Sequence, residues 1–250
     1  MLSAAPLGLA FLLFAFLLAG GVKGLLGVGL PTVAMALLSF SMPPAQAAAT
    51  LIIPAIATNV WQMAAGPALF RLLRRFASMA IGMVVGTFAT IGLMTGTSTS
   101  LATAILGVVL GAYGAYGLVG RPFRASPRAE RWVSPLIGLA TGMITGACGV
   151  YVVPAVPYLN SLGLDKEELV QSIGISAFVC PLALAGALAL HGQYSAQVAT
   201  GSFVALLPAL AGMYAGQAAR RRLRPAAFYR WFFGGLLALG AYMLARSALQ

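Results

Sequence analysis

The sequence feature that most constrains the fold is the way charge is kept apart from long apolar runs. Arginines gather in short clusters between those runs, and no Asp or Glu occurs from Met1 to Ala129. The chain is 60% hydrophobic and 8% charged, so a soluble domain of this composition would lack the polar surface to cover its core. These features exclude a soluble enzyme and a disordered chain. Two cysteines among 250 residues also exclude a disulfide scaffold.

The apolar runs have the length of membrane-spanning helices, which need about 20 residues each. Six runs are suitable: 51–67, 76–95, 101–119, 169–190, 198–219 and 228–249. Residues 6–40 and 132–162 are too long for one crossing of a hydrocarbon core of about 30 Å. The sequence therefore predicts an all-α fold, a polytopic transmembrane helix bundle of about eight helical elements plus broken or re-entrant segments.

The net charge of +11 raises the alternative of nucleic-acid binding. The distribution of the basic residues argues against it, because they occupy short breaks between apolar runs, as cytoplasmic loops do under the positive-inside rule. The arginine clusters are Arg71, Arg74 and Arg75; Arg121, Arg124, Arg128 and Arg131; and Arg220, Arg221, Arg222, Arg224 and Arg230. We therefore expect cytoplasmic arginine loops and no nucleic-acid partner.

Each over-long stretch contains glycine and proline at the same relative place. The first carries Gly27, Gly29 and Pro31, and the second carries Gly149 and Pro154. Glycine weakens a helix, and proline removes a backbone donor and clashes with the preceding turn. The sequence therefore predicts one interrupted helix in each half of the chain.

The positive-inside rule favours these interruptions independently of the glycines. If each long stretch crosses once, the clusters at Arg71 and Arg220 lie on opposite faces of the membrane. If each contributes two passes or a re-entrant hairpin, all three clusters lie on one face. The second arrangement gives each half an odd number of passes, which predicts two halves inverted relative to one another.

An internal repeat supports two related halves. Three motifs recur in the same order at nearly the same spacing: residues 24–28 with 146–150, Gly82-x-x-x-Gly86 with Gly212-x-x-x-Gly216, and 110–113 with 239–242. We predict a single membrane domain over 1–250, with repeats at about 1–120 and 132–250 and a basic cytoplasmic linker at about 121–131. The first apolar run is interpreted as retained, because residues 1–6 lack the basic start of a signal peptide.

Broken helices at matching positions are the recurring design of secondary transporters, whose substrate site lies near the membrane midplane. A new helix N-terminus exposes unpaired N–H groups and partial positive charge, which together bind anions. The first half has no carboxylate to attract a cation, so an anionic substrate is favoured. The candidate substrate-binding residues lie at the two breaks or on the helices that follow them: Gly27, Gly29, Pro31, Asn59, Gln62, Gly149, Tyr151, Pro154, Gln171, Ser172 and Ser176.

Several polar residues have two interpretations. Asn59 and Gln62 share one helical face, and buried amides either contact substrate or hydrogen-bond a neighbouring helix. Tyr151 either presents its hydroxyl to an anion or packs in the interior. Lys23 is either an anion ligand or a residue whose amine extends to the membrane interface, and its place near the cytoplasmic side favours the second.

The glycine-rich residues 24–31, the following segment 43–50, the second copy at 146–154 and the Gly-x-x-x-Gly helices together resemble the sulfite exporter TauE/SafE family. The resemblance spans nearly the whole chain. It implies a small multi-pass permease of the cell membrane, the inner membrane in a bacterium. Its substrates would be sulfur-containing anions such as sulfite, sulfoacetate or organosulfonates, with the paired glycine segments near the transport path.

Two rival classes remain open from the sequence. An intramembrane enzyme is disfavoured, because the single His lies in a polar turn and no acid lies in mid-membrane sequence. A passive anion channel, or a membrane subunit of a larger complex, remains an alternative. We expect no cofactor and no metal. The coupling ion is left as a proton or sodium, although the lack of an embedded acid disfavours proton coupling through a carboxylate.

Overall fold

The computed structural model of the protein describes residues 6–64, 66–96, 99–120, 124, 126, 129–220 and 225–248. Within these residues the chain is helical and has no strand. Its helices, in chain order, are α1 (Pro6–Leu26), α2 (Leu30–Leu38), α3 (Pro44–Ala64), α4 (Leu69–Arg75), α5 (Ala77–Thr95), α6 (Thr99–Val119), α7 (Glu130–Cys148), α8 (Ala155–Ser161), α9 (Lys166–Leu190), α10 (Ala196–Arg220) and α11 (Pro225–Ala248).

Eight of these helices have 19 to 25 residues, and the other three, α2, α4 and α8, are short. In the described part of the chain, six of the long helices are apolar enough to cross a membrane. The predicted polytopic helix bundle is confirmed. One boundary differs, because α3 begins at Pro44 instead of residue 51. Proline suits a first helical turn, where its missing N–H is not needed, and the alanines that follow favour a helix.

Both over-long stretches are interrupted where the glycines predict. The first break separates α1 from α2, with Gly27 at φ 80° and Gly29 at φ 108°. The second break separates α7 from α8 and begins at Gly149, with φ 75°. L-residues with a side chain rarely adopt this left-handed region, so glycine allows the chain to leave the helix at these points. The predicted interruption in each half is confirmed.

The arginine clusters that the structure describes lie on one face of the bundle. Arg71 of α4 pairs with Glu168 at the start of α9, and Arg75 pairs with Glu130 at the start of α7. The Arg75 guanidinium donates from Nε at 2.6 Å and from Nη2 at 2.8 Å. These hydrogen bonds raise the pKa of Arg75. Since α4, α7 and α9 meet here, we call this end of the bundle the basic face.

Arg220, the first residue of the third cluster, reaches the same face. Arg220, at the end of α10, and Lys166, at the start of α9, line one common cavity. The second long stretch therefore leaves the basic face along α7 and returns to it through the second break and α8. Its return is fixed by α8, where the Tyr158 hydroxyl lies 2.7 Å from Ser134 Oγ near the start of α7. For the second stretch, the predicted re-entrant hairpin is thus the arrangement found.

Helices of the two halves pack in exchanged pairs. α1 packs along α10, and α5 packs along α7. Glycines of the recurring motifs make these contacts: a Cβ added at Gly24 would overlap the carbonyl oxygen of Met213, and one added at Gly146 would overlap that of Thr87. Small residues let membrane helices approach this closely.

The remaining long helices pair across the two halves. α3 packs on α9 and α6 packs on α11. Relative to the basic face, α3 runs towards it and α9 away from it, since Asn59 contacts Ala177 while Gln62 contacts Val170. These directions are what inverted halves require. The inverted relation itself stays a prediction.

Candidate functional site

The two breaks meet at a pocket between the central helices α3 and α9. This interior pocket has a volume of about 20 Å³. The candidate residues that line it are Gly27, Gly29, Pro31, Asn59, Gln62, Tyr151 and Ser176. A cavity of roughly 10–15 Å³ holds one water molecule. The interior pocket is therefore too small in this structure for a four-atom oxyanion. The pocket must widen before such an ion enters.

The side chain of Lys23 faces this pocket from α1. It is 5% exposed, and its Nζ donates to Thr58 Oγ1 at 3.0 Å and to Asn59 Oδ1. The interpretation that favoured extension to the membrane interface is therefore wrong. Two polar acceptors on α3 lie within reach of the amine inside the bundle, so it does not need to reach water. Thr58, the other acceptor, was not among the residues that the sequence predicted for this site.

Asn59 and Gln62 make the helix-to-helix hydrogen bonds that were one of their two interpretations, and contact with a substrate stays a prediction. The Asn59 amide donates from Nδ2 to the Ala177 carbonyl oxygen at 2.5 Å, and Gln62 donates from Nε2 to Val170 at 3.2 Å. Both acceptors belong to α9. The two amides therefore tie α3 to α9 while their side chains line the interior pocket.

Tyr151 supplies a buried hydroxyl from the second break. The residue is 2% exposed, and its hydroxyl has no hydrogen-bond partner among the described residues. A buried polar group without a partner costs about 1–3 kcal/mol, so this hydroxyl is ready to donate to a bound group. Ser176, also on the pocket wall, instead donates to the Ile173 carbonyl of its own helix at 3.0 Å.

The first break also offers backbone donors. The amides of Val28, Gly29 and Leu30 donate no hydrogen bond within the described part of the chain. The next residue, Pro31, has no N–H. Val28 and Gly29 are also among the residues that line the interior pocket. This is the backbone arrangement that an interrupted helix is expected to leave.

The other candidate residues do not line the interior pocket. Gly149 packs against Met35 of α2 and Ala48 of α3. Pro154 directly precedes α8. Ser172 is fully buried on α9, and its hydroxyl is unpaired among the described residues.

Gln171 closes the end of α3 and does not face the pocket. Its Nε2 donates to the carbonyl oxygens of Met63 at 2.8 Å and Gly66 at 2.6 Å, and its Oε1 accepts from the Ala68 amide at 3.1 Å. The last carbonyls of a helix lack partners within the helix, so Gln171 satisfies them from α9. Its role in the structure is to join α9 to the turn between α3 and α4.

Two wider cavities lead from the basic face towards the breaks. One has a volume of about 280 Å³ and reaches Lys166, Asn160 and Arg220. The other, of about 240 Å³, runs from Arg220 to Lys23. Both share Gly27 and Gln62 with the interior pocket. An anion approaching from the basic face therefore meets fixed positive charge before it reaches the breaks.

Comparison with known proteins supplies the family. The model of the family described as sulfite exporter TauE/SafE matches residues 12–243, which include both breaks and all the residues of the interior pocket. No curated protein and no solved structure matches the chain. Together with the six apolar helices, the family match makes this a multi-pass protein of the cell membrane with a transporter fold. The chain belongs to the sulfite exporter TauE/SafE family.

Proposed function

We propose that the protein is a secondary permease for small sulfur-containing anions such as sulfite or organosulfonates. It works by alternating access around the interior pocket. The observation that carries this proposal is the meeting of both breaks at one pocket that holds a buried lysine amine, an unpaired tyrosine hydroxyl and unpaired backbone amides. All of these groups are donors, which suits an oxyanion with several acceptor oxygens.

The charge around the pocket favours an anion over a cation. The four acids of the chain are Glu130, Asp165, Glu167 and Glu168. They lie at the starts of α7 and α9, on the basic face, and none lines the interior pocket. Lys23 and Arg220 lie along the path instead. A cation on this route would be repelled by the Arg220 guanidinium and would meet no carboxylate among the residues that line these cavities.

Alternating access follows from the central helices. The interior pocket lies between α3 and α9, so a change in their mutual tilt changes its volume. Each carries an internal proline, Pro54 in α3 and Pro181 in α9. A proline removes one backbone hydrogen bond, which lowers the cost of bending the helix there. The two halves would thus rock about the pocket and expose it to each face in turn.

Flux into proteoliposomes tests this function. Sulfite, thiosulfate and methanesulfonate are compared with chloride, and counterflow is measured by loading vesicles with unlabelled anion and adding labelled anion outside. We expect saturable uptake of at least one sulfur anion, accelerated by the same anion on the other side. Linear, non-saturable flux without counterflow would indicate a passive channel. Absence of flux for all three sulfur anions would overturn the proposal.

A further inference from the structure

The buried lysine has an unusual charge environment. Among the described residues, Lys23 is the only Lys, Arg, His, Asp or Glu that is buried. The oxygens that accept from its Nζ belong to Thr58 and Asn59, which are both neutral. No carboxylate lines the interior pocket or the cavity beside it. A protonated amine here would carry an uncompensated charge, which is costly in a buried site.

The other ionisable groups near Lys23 do not remove this cost. The side chains from α3 are Thr58, Asn59, Trp61 and Gln62, none of which is ionisable, and from the second break comes the Tyr151 phenol, which is neutral near pH 7. From α10 come the neutral Gln217 and Arg220, whose fixed positive charge at the far end of the shared cavity opposes protonation. α2 contributes only apolar residues and Thr32 to the buried interior.

The hydrogen bonds match a neutral amine. An uncharged amine has two N–H donors, and the two acceptors, Thr58 Oγ1 and Asn59 Oδ1, accept both of them. An ammonium has a third N–H. No third acceptor for Lys23 Nζ is present among the described residues, so this donor would be left without a partner while the pocket is empty.

We infer that Lys23 binds the proton that travels with the anion. The amine is neutral when the interior pocket is empty and becomes an ammonium when an oxyanion occupies it, because the oxyanion accepts the third N–H and compensates the charge. The inference rests on the proposed function and names its coupling ion. Anion binding and proton binding then strengthen each other equally, as linkage requires.

The proton has a route to the amine. Lys23 lines both the interior pocket and the cavity of about 240 Å³ that reaches Arg220 on the basic face. The nitrogen lone pair forms the new N–H bond, and bulk water supplies the proton through this cavity. The pair of ammonium and anion carries one negative charge fewer than the anion alone. The proton leaves again when the anion is released.

Proteoliposomes with a trapped pH-sensitive dye test the inference. The probe is methanesulfonate, the anion of a strong acid, which carries no proton itself near neutral pH. With the membrane potential clamped, we expect anion entry to acidify the lumen by one proton per anion, and the apparent KM to rise with pH. The K23M variant should lose anion flux by tenfold or more, since it lacks the charge.

The K23R variant separates binding from coupling. A guanidinium stays protonated, so counterflow exchange of methanesulfonate should persist while lumen acidification is lost. R246M, which removes an exposed charge from α11, is the matched control and should keep both activities. Wild-type flux without proton movement and with a pH-independent KM would overturn the inference but leave the proposed function standing. Absence of flux for methanesulfonate, thiosulfate and sulfite would overturn both.

Discussion

The two breaks are built differently although they occupy the same place in each half. The first is short, from Gly27 to Gly29, and a Cβ added at Gly27 would meet no atom within 4 Å. The second runs over residues 149–154, and a Cβ added at Gly149 would lie 3.0 Å from the Met35 side chain. The first break therefore leaves open space at the pocket, whereas the second is packed.

The difference extends to the side chains that each break brings. The first lies beside Lys23 and leaves backbone amides unpaired. The second contributes the Tyr151 hydroxyl and rests on apolar residues of α2 and α3. The two breaks thus contribute differently to the pocket: the first supplies the Lys23 amine and open backbone, and the second supplies a packed wall with one hydroxyl.

The sharpest test of this division replaces the leading glycine of each break with leucine. G27L places its side chain in open space at the pocket, so we expect flux to fall to background in a protein that still folds. G149L must fit against Met35, so overpacking of about 1–3 kcal/mol should lower its melting temperature more. Both variants also share the cost of a left-handed residue, about 1–2 kcal/mol. Flux and thermal melts are measured together. Normal transport by G27L would contradict the assignment.

Side-chain removal at the pocket compares the contributions of the two breaks to affinity. K23M removes a charged donor, which is worth about 1.5–3 kcal/mol, or a loss of about 10- to 100-fold in apparent affinity. Y151F removes a neutral hydroxyl, so a loss of about 2- to 10-fold is expected. The measurement is the KM of counterflow at a pH below neutrality. A larger loss in Y151F would reverse the proposed division.

Labelling of single cysteines decides which side of the membrane the cavities open to. In a background with Cys148 and Cys180 replaced by alanine, cysteines are placed at Ser126, Arg220 and Gln193. Since Gln193 lies at the opposite end of α9 from the basic face, an impermeant maleimide added to intact cells should label it alone. Labelling at Ser126 or Arg220 instead would place the basic face outside.

The smallest expected effect concerns α4, a helix found in the first half between α3 and α5. R75Q breaks the two hydrogen bonds to Glu130, whereas Arg74 makes no ion pair among the described residues. An exposed pair is worth up to about 1 kcal/mol, so R75Q should lower the melting temperature by about 2–4 °C at most. R74Q serves as the control and should leave it unchanged. Equal shifts would show that the pair adds nothing.

The breaks could be predicted from the sequence because glycine and proline act on the helix locally. Their effect on a helix does not depend on what packs nearby, so Gly27, Gly29 and Gly149 were identifiable without the fold. The direction of Lys23 was not, because it depends on Thr58 and Asn59, which lie more than thirty residues away. One sequence signal did favour burial of Lys23, since an ionisable residue inside an apolar run usually faces the protein interior.

Gln171 shows a second limit of the sequence. A polar residue near the start of a helix after a break was predicted to bind substrate. Gln171 instead donates hydrogen bonds to carbonyl oxygens at the end of α3 and just after it. Which carbonyls lack partners is known only once the helix ends are placed. The short helix α4 was not predicted either, because the sequence treated its arginines as part of a loop between two spanning helices.

The exchanged pairing of helices has a consequence for how the protein is made. α1 is synthesised before α10, yet α1 packs along α10. The α1 residues that face α10, among them Gly20 and Gly24, therefore stay exposed to lipid until α10 has been synthesised and inserted. The two halves are therefore co-dependent for assembly: severed between α6 and α7, each fragment should persist in cells only when its counterpart is co-expressed.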